Sequence, residues 1–132
     1  MFTGLCDAAP DISRSMTVVR ELILASGSRW RLQMLMDAGV RVRGVPSHVP
    51  EDLTANSDPV RLARDLALAK ARSVAGRFPE AWVLGADQVA CDAEERSEIW
   101  GKPTDEADHF DRLCAMRGRA HVLVTALSLI HI

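Results

Sequence analysis

At 132 residues and 14.5 kDa the chain holds one domain and leaves little room for a second. Its 48% hydrophobic and 26% charged residues exclude a disordered or fibrous chain. Sixteen basic against eighteen acidic side chains, a net charge of −2, exclude the broad basic field of a general nucleic-acid binder, although not a local basic pocket. No apolar run is long enough to cross a bilayer. Neither nucleic acid nor membrane is therefore an expected partner, and the cytoplasm is the default compartment. Cys6, Cys91 and Cys114 lie far apart with no CxxC pair, which argues against a disulfide framework or a zinc knuckle. Fourteen basic residues are arginines, and the two lysines are Lys70 and Lys102. In so arginine-biased a chain they either mark places that want a compact ammonium or fall there by chance.

Residues 1–16 (MFTGLCDAAPDISRSM) carry no hydrophobic period and no secretory pattern, and read as a disordered leader before a domain spanning 17–132. Met16 is a candidate start. The run ELILA at 21–25 reads as a buried strand, Ser26-Gly27-Ser28 as a turn, and 29–38 as a helix with Leu32, Leu35 and Met36 facing inward. Gly39 suits the position just past that helix. Val40, Val42 and Val45 suggest a second strand, and a polar, proline-containing loop follows to Ser57. Asp58-Pro59 is a capping side chain followed by proline at the first helical position, opening a helix to about Ala75 with Leu62, Leu66 and Ala69 on its apolar face. A strand at 81–86 continues through Val89-Ala90, and the acidic loop DAEERSE leads to Ile99-Trp100. Thr104 is expected to cap a third helix whose Phe110, Leu113 and Cys114 face inward. The end, 121–132, is a β-branched and leucine-rich strand pattern. Strands alternating with helices indicate an α/β fold.

Several positions carry chemistry. In strand–SGSRWR–helix, with Ser28 at the N-cap, Arg29 and Arg31 stand in the first helical turn, where positive charge opposes the helix dipole at ~0.3–1 kcal/mol each. Serine hydroxyls, free N–H groups and two guanidinium groups converging on one spot make an anion site, or the arginines are simply a solvated pair at a tolerant helix end. Asp87, after an apolar strand, is placed to ligate a metal or take a proton from water, or it forms a turn. Lys70 shares the ridge of Leu62 and Leu66 and either snorkels at the edge of the core or reaches into a pocket. Gly101-Lys102-Pro103 alone is a turn, and Glu51 alone a solvated charge. Neither a P-loop nor G-x-G-x-x-G occurs.

Together these segments match a family. LILASGSRWR at 22–31, LALAKA at 66–71, VLGADQV at 83–89, GKP at 101–103 and RGRAHVLVTALSL at 117–129 occur in one order. The chain resembles the Maf (septum-formation-inhibitor-like) family of nucleoside triphosphate pyrophosphatases. The resemblance implies a Maf/ITPase-like fold, a twisted mixed sheet with flanking helices and a central nucleotide cleft. It implies hydrolysis between the α- and β-phosphates with a divalent metal cation, Mg2+ or Mn2+. By position it makes Ser26, Ser28 and Arg31 phosphate-binding, Glu51 and Asp87 metal-binding, Asp87 the proton acceptor, and Arg31, Lys70 and Lys102 the cations that offset phosphate charge.

The chain departs from the family pattern at Arg29, where proline is usual, at Leu32, and at Pro50 and Ala69, where carboxylates beside Glu51 and Lys70 are lost. Those two losses are expected to weaken metal binding. Trp30 and Gln88 stand where one branch, resembling 7-methyl-GTP pyrophosphatases, has Trp and Gln, and where a dTTP/UTP-cleaving branch has Arg and Thr. An indole stacks well on a cationic methylated base, and a glutamine amide pairs with a base edge. The expected function is therefore pyrophosphatase action on a modified nucleotide such as 7-methyl-GTP. The alternatives are dTTP/UTP cleavage, a non-catalytic nucleotide-binding or regulatory protein, and an inactive fragment. Because the sequence stops at LSLIHI within an apolar strand pattern, the expectation is a C-terminally incomplete domain that self-associates and has little activity. Its alternative is a genuine terminus whose strand pairs at an edge or in a homodimer.

Overall fold

A computed structural model describes residues 21–131; the leader expected at 1–16 and Cys6 lie outside that range. The elements are β1 (Leu22–Leu24), α1 (Arg29–Asp37), β2 (Val42–Gly44), α2 (Pro59–Ala75), β3 (Trp82–Asp92), β4 (Ile99–Trp100), α3 (Glu106–Met116) and β5 (His121–Ile130). They form a mixed five-stranded sheet beside three helices, the α/β class expected from the sequence. Among the described residues no helix is long and apolar enough to cross a membrane.

The register explains how the sheet leaves room for a site. β5 pairs antiparallel with β3 over nearly its whole length, from Val83↔Ile130 to Asp92↔His121, and so takes one edge of β3. The other edge is shared. β1 runs parallel to β3 at Leu22↔Trp82 to Leu24↔Leu84, and β4 returns antiparallel at Ala90↔Trp100 and Cys91↔Ile99. Between those two partners Gly85–Val89 has no strand neighbour on that edge. β2 extends the sheet beyond β1, in parallel.

One face of the sheet is covered by α2. Asp58 accepts hydrogen bonds from the N–H groups of Val60 and Arg61, and Pro59 occupies the first helical position, as Asp58-Pro59 predicts. The helix buries Leu62, Ala63, Leu66, Ala67, Ala71 and Val74. Two apolar clusters result, one joining Ala71 and Val74 to Ile23 and Val83, the other joining Leu62, Leu66 and Ala67 to Val89 and Ala126. α2 can lie this close because β3 offers glycine beneath it: a Cβ on Gly85 would stand 2.0 Å from the Ala67 carbonyl oxygen. On the other face of β5, Leu123, Leu127 and Leu129 are exposed.

Two helices differ from expectation. α1 buries no residue: Leu32 and Leu35 are half-buried, but Met36 is 53% exposed. Its end is as expected, with Gly39 at φ +79° just past the cap residue. α3 is capped by Asp105, not Thr104. The Asp105 carboxylate accepts the Asp108 N–H at 2.8 Å, while Thr104 donates its own N–H to Asp108. Phe110 and Leu113, expected to face inward, are 67% and 56% exposed, and Cys114 is exposed too. The amphipathic period is present, but no described element covers that side. α3 is held instead by polar contacts, chiefly Arg112, which donates to the Gly101 carbonyl at 2.6 Å and pairs with Asp108.

Candidate active site

The turn after β1 is organised by its serines. The Ser28 Oγ accepts the Arg31 N–H at 3.4 Å as the N-cap of α1, and the Ser26 Oγ accepts the Ser28 N–H at 3.1 Å. Both hydroxyls are thus turned inward to the turn as acceptors, and each keeps its own proton to donate. Arg31 folds back from the first turn, and its guanidinium donates to the Ala86 carbonyl at 3.2 Å. That carbonyl belongs to the stretch of β3 without a strand neighbour. The guanidinium therefore fills part of the gap between β1 and β4, and it has no carboxylate partner among the described residues.

Across from it, four charged side chains form a chain of contacts. Lys70, on the buried face of α2, holds Asp87 of β3 and, at 2.7 Å, Glu51 of the loop before α2. The Lys70 and Asp87 side chains are only 8% and 6% exposed, so an ion pair lies in the seam between the two apolar clusters. A buried charge of that kind survives only if paired. Lys102, which is exposed, reaches the other end of the same carboxylate, with Nζ 3.3 Å from Glu51 Oε2. Glu51 therefore bridges both lysines. Hydrogen bonding to Lys70, aided by the charges of both lysines, outweighs partial burial and holds the Glu51 carboxyl below its ordinary range.

These groups enclose a cavity of about 360 Å³ lined by Ser26, Ser28, Arg31, Glu51, Lys70 and Lys102 among others, with Asp87 joined to it through Lys70. Residues as far apart in sequence as Ser26 and Lys102 thus meet in one place. Trp30 and Gln88 do not line it. Trp30 is 70% exposed, with the Arg29 guanidinium 4.9 Å from its ring. Gln88 follows Asp87 on a strand and so points to the opposite face, where its amide donates to Thr125 at 2.9 Å. The sequence reading missed Pro46, Ser47, His48 and Val49, which complete the wall. His48 adopts a positive φ of 47°, which nothing in the local sequence signals. A second cavity of about 540 Å³ adjoins the first through Glu51 and Lys102 and adds Leu53, Ile99 and Arg112.

Two carboxylates, Glu51 and Asp87, lie within hydrogen-bond reach of one nitrogen, Lys70 Nζ, so both can address one small ion. Among the described residues no group of three His, Cys, Asp or Glu is placed to hold a metal. That is too few for an all-protein cage, but it fits Mg2+, which takes one or two carboxylates and completes its shell with substrate phosphates and water.

The family model described as Maf-like protein matches residues 21–132. The chain belongs to the Maf-like family. Curated relatives include a dTTP/UTP pyrophosphatase of Koribacter versatilis, 41% identical over 82% of this chain and 54% of the relative. A nucleoside triphosphate pyrophosphatase of a Ruegeria species is 40% identical over 80% and 54%. A 7-methyl-GTP pyrophosphatase of Albidiferax ferrireducens is 36% identical over 86% and 55%. The chain thus spans about half the length of these Maf-like relatives. Among solved structures, a HAM1 protein from Coxiella burnetii superposes with a TM-score of 0.57 at 19% identity, covering 85% of this chain and 64% of that one. That likeness concerns the fold.

Proposed function

We propose that this Maf-like domain hydrolyses a nucleoside triphosphate to the monophosphate and pyrophosphate. The observation that carries the reading is the convergence of Arg31, Lys70 and Lys102 with two serine hydroxyls on one cavity that also holds Glu51. A triphosphate needs cations to bind it, and their value rises as charge shifts to the leaving pyrophosphate. Arg31 and Lys102 bind and orient the phosphates, and Lys70 holds Asp87 in place. Asp87 takes the proton of a water whose oxygen forms a bond to the α-phosphorus, while the bond from that phosphorus to the α–β bridging oxygen breaks and pyrophosphate leaves. Glu51 and Asp87 would hold a divalent cation, which when bound neutralises phosphate charge.

The finer substrate reading is a 7-methylated guanine nucleotide. It rests on Trp30, whose exposed ring would have to exchange or share the Arg29 guanidinium 4.9 Å away for a stacked base, and on Gln88, whose amide carbonyl remains able to accept from a base. A dTTP or UTP substrate is the second reading, favoured by the names of several relatives, including the Koribacter protein at 41% identity.

The reading is tested by pyrophosphate release with Mg2+. Asp87→Asn should lower the rate about 10²–10⁴-fold even with Mg2+ and nucleotide both saturating, as expected for a lost general base. Arg31→Ala should lower both affinity and rate, because it meets phosphate charge in ground and transition states alike. A variant lacking the Asp87 carboxylate that keeps most of the rate would remove it as the base.

A further inference from the structure

The ionic chain is closed on itself. Two carboxylates and two ammonium groups are each other's partners, through Lys70 with Asp87, Lys70 with Glu51, and Lys102 with Glu51 at 3.3 and 3.4 Å. The four formal charges sum to zero. The groups that would bind a triphosphate are therefore occupied by the groups that would bind a metal. Either ligand alone meets resistance: a divalent cation must displace ammonium groups and then sits beside them, and a polyanion must pull the lysines away from carboxylates that it then faces. Both together restore neutrality, because the carboxylates exchange lysine for metal while the lysines exchange carboxylate for phosphate. The contacts are unequal. Lys70 is buried between Glu51 and Asp87, whereas the Lys102 side chain is 83% exposed and holds Glu51 alone, so it is the link most free to open.

We propose that the Lys102–Glu51 pair is an internal lock on the site: Lys102 competes with the divalent cation for Glu51, and the incoming phosphates draw Lys102 off. Metal and triphosphate then bind with positive coupling, each raising the affinity of the other by the same factor. This deepens the pyrophosphatase reading and rests on it for the phosphate half; the metal half is measurable with no nucleotide present.

The test titrates Mn2+ alone by electron paramagnetic resonance into the unaltered chain, K102A, K102R and R43A. R43A removes an equal charge from a different ion pair, with Glu21. K102A should bind Mn2+ at least about threefold more tightly than the parent. K102R and R43A should match the parent. With saturating Mn2+, K102A should bind a GTP analogue with a methylene between the α- and β-phosphates at least about tenfold more weakly, reversing the direction of the first effect. Circular dichroism checks that each variant is folded. Mn2+ affinity in K102A that is unchanged, weaker or still undetectable overturns the lock, as does an equal gain in R43A, which would make the effect one of net charge. Analogue affinity unchanged in K102A overturns the exchange with phosphate. Failure of the unaltered chain to bind or cleave any nucleotide counts against the pyrophosphatase reading and leaves the Mn2+ comparison intact as a test of the lock.

Discussion

Gly85→Ala should damage fold and site together, and the structure gives the size of the effect. A Cβ at Gly85 would lie 2.0 Å from the Ala67 carbonyl oxygen, 2.8 Å from the Ala71 nitrogen and 3.0 Å from the Ala71 Cβ, where ordinary contact begins near 3.4 Å. The two nearest atoms are backbone of α2 and have no rotamer to escape into, so the helix must withdraw from β3 by about 1 Å or more. Overpacking of this kind costs about 1–3 kcal/mol and occasionally more. A change opposed by helix backbone on a fully packed face belongs at the upper end. With a urea slope of roughly 2 kcal/mol/M, about 3 kcal/mol moves the unfolding midpoint down by about 1.5 M. The same withdrawal carries Lys70 on α2 away from Asp87, which lies two residues beyond Gly85 on β3. A misplacement of about 1 Å near reacting groups costs on the order of 10²-fold in rate. The assay is urea unfolding followed by circular dichroism, with pyrophosphate release measured well below the midpoint. Gly76→Ala is the control, since a Cβ at Gly76 meets nothing within 4 Å, and it should be neutral or slightly stabilising. A Gly85→Ala protein with the parent's midpoint would refute the close-approach argument.

Two further outcomes concern pH and substrate choice. Hydrogen bonds from Arg112 and Thr104 hold the Asp108 carboxyl at about 2, against an ordinary 3.8. Because the folded value is the lower one, the stability this group contributes is present above about pH 4 and is lost as the pH falls toward about 2. The protection of α3 amides, taken as the exchange rate relative to the intrinsic rate at each pH, should fall across that window, and Asp108→Asn should remove the fall; an Asn variant with the same acid profile would show the link to be wrong. In a substrate panel, the unaltered chain should prefer 7-methyl-GTP to dTTP and UTP, and Trp30→Arg with Gln88→Thr should move preference toward the pyrimidines. A parent that already prefers dTTP or UTP would assign it to the other substrate class.

What could be read from the chain was local. Asp58-Pro59 announced the start of α2 because a capping carboxylate and a proline at the first helical position are both signals within a turn of each other. Gly39 did the same for the end of α1 through its positive φ. The scarcity of lysine also proved informative, since Lys70 and Lys102 meet at one carboxylate although 32 positions separate them in the chain. The rest depended on long-range pairing. Nothing in residues 82–92 states that β1 and β4 share one edge of β3, so the gap at Gly85–Val89 and the place of Arg31 within it could not be seen in advance. The inward side of α3 was misread because a helical period says which residues lie together, not whether anything covers them. Asp87 and Gln88, adjacent on a strand, were assigned to one site although alternation sends them to opposite faces. Asp87 accordingly meets Lys70 beneath α2, whereas Gln88 meets Thr125 on the other face.

The proposed reaction is tested most directly by its products. The chain is incubated with Mg2+ and a nucleoside triphosphate, 7-methyl-GTP first and then dTTP and UTP, and the mixture is followed by phosphorus nuclear magnetic resonance. Cleavage at the α-phosphorus predicts nucleoside monophosphate and pyrophosphate in equal amounts, lost in Asp87→Asn and on chelation of the metal. Release of nucleoside diphosphate and inorganic phosphate, or no turnover of any of these nucleotides, would contradict it.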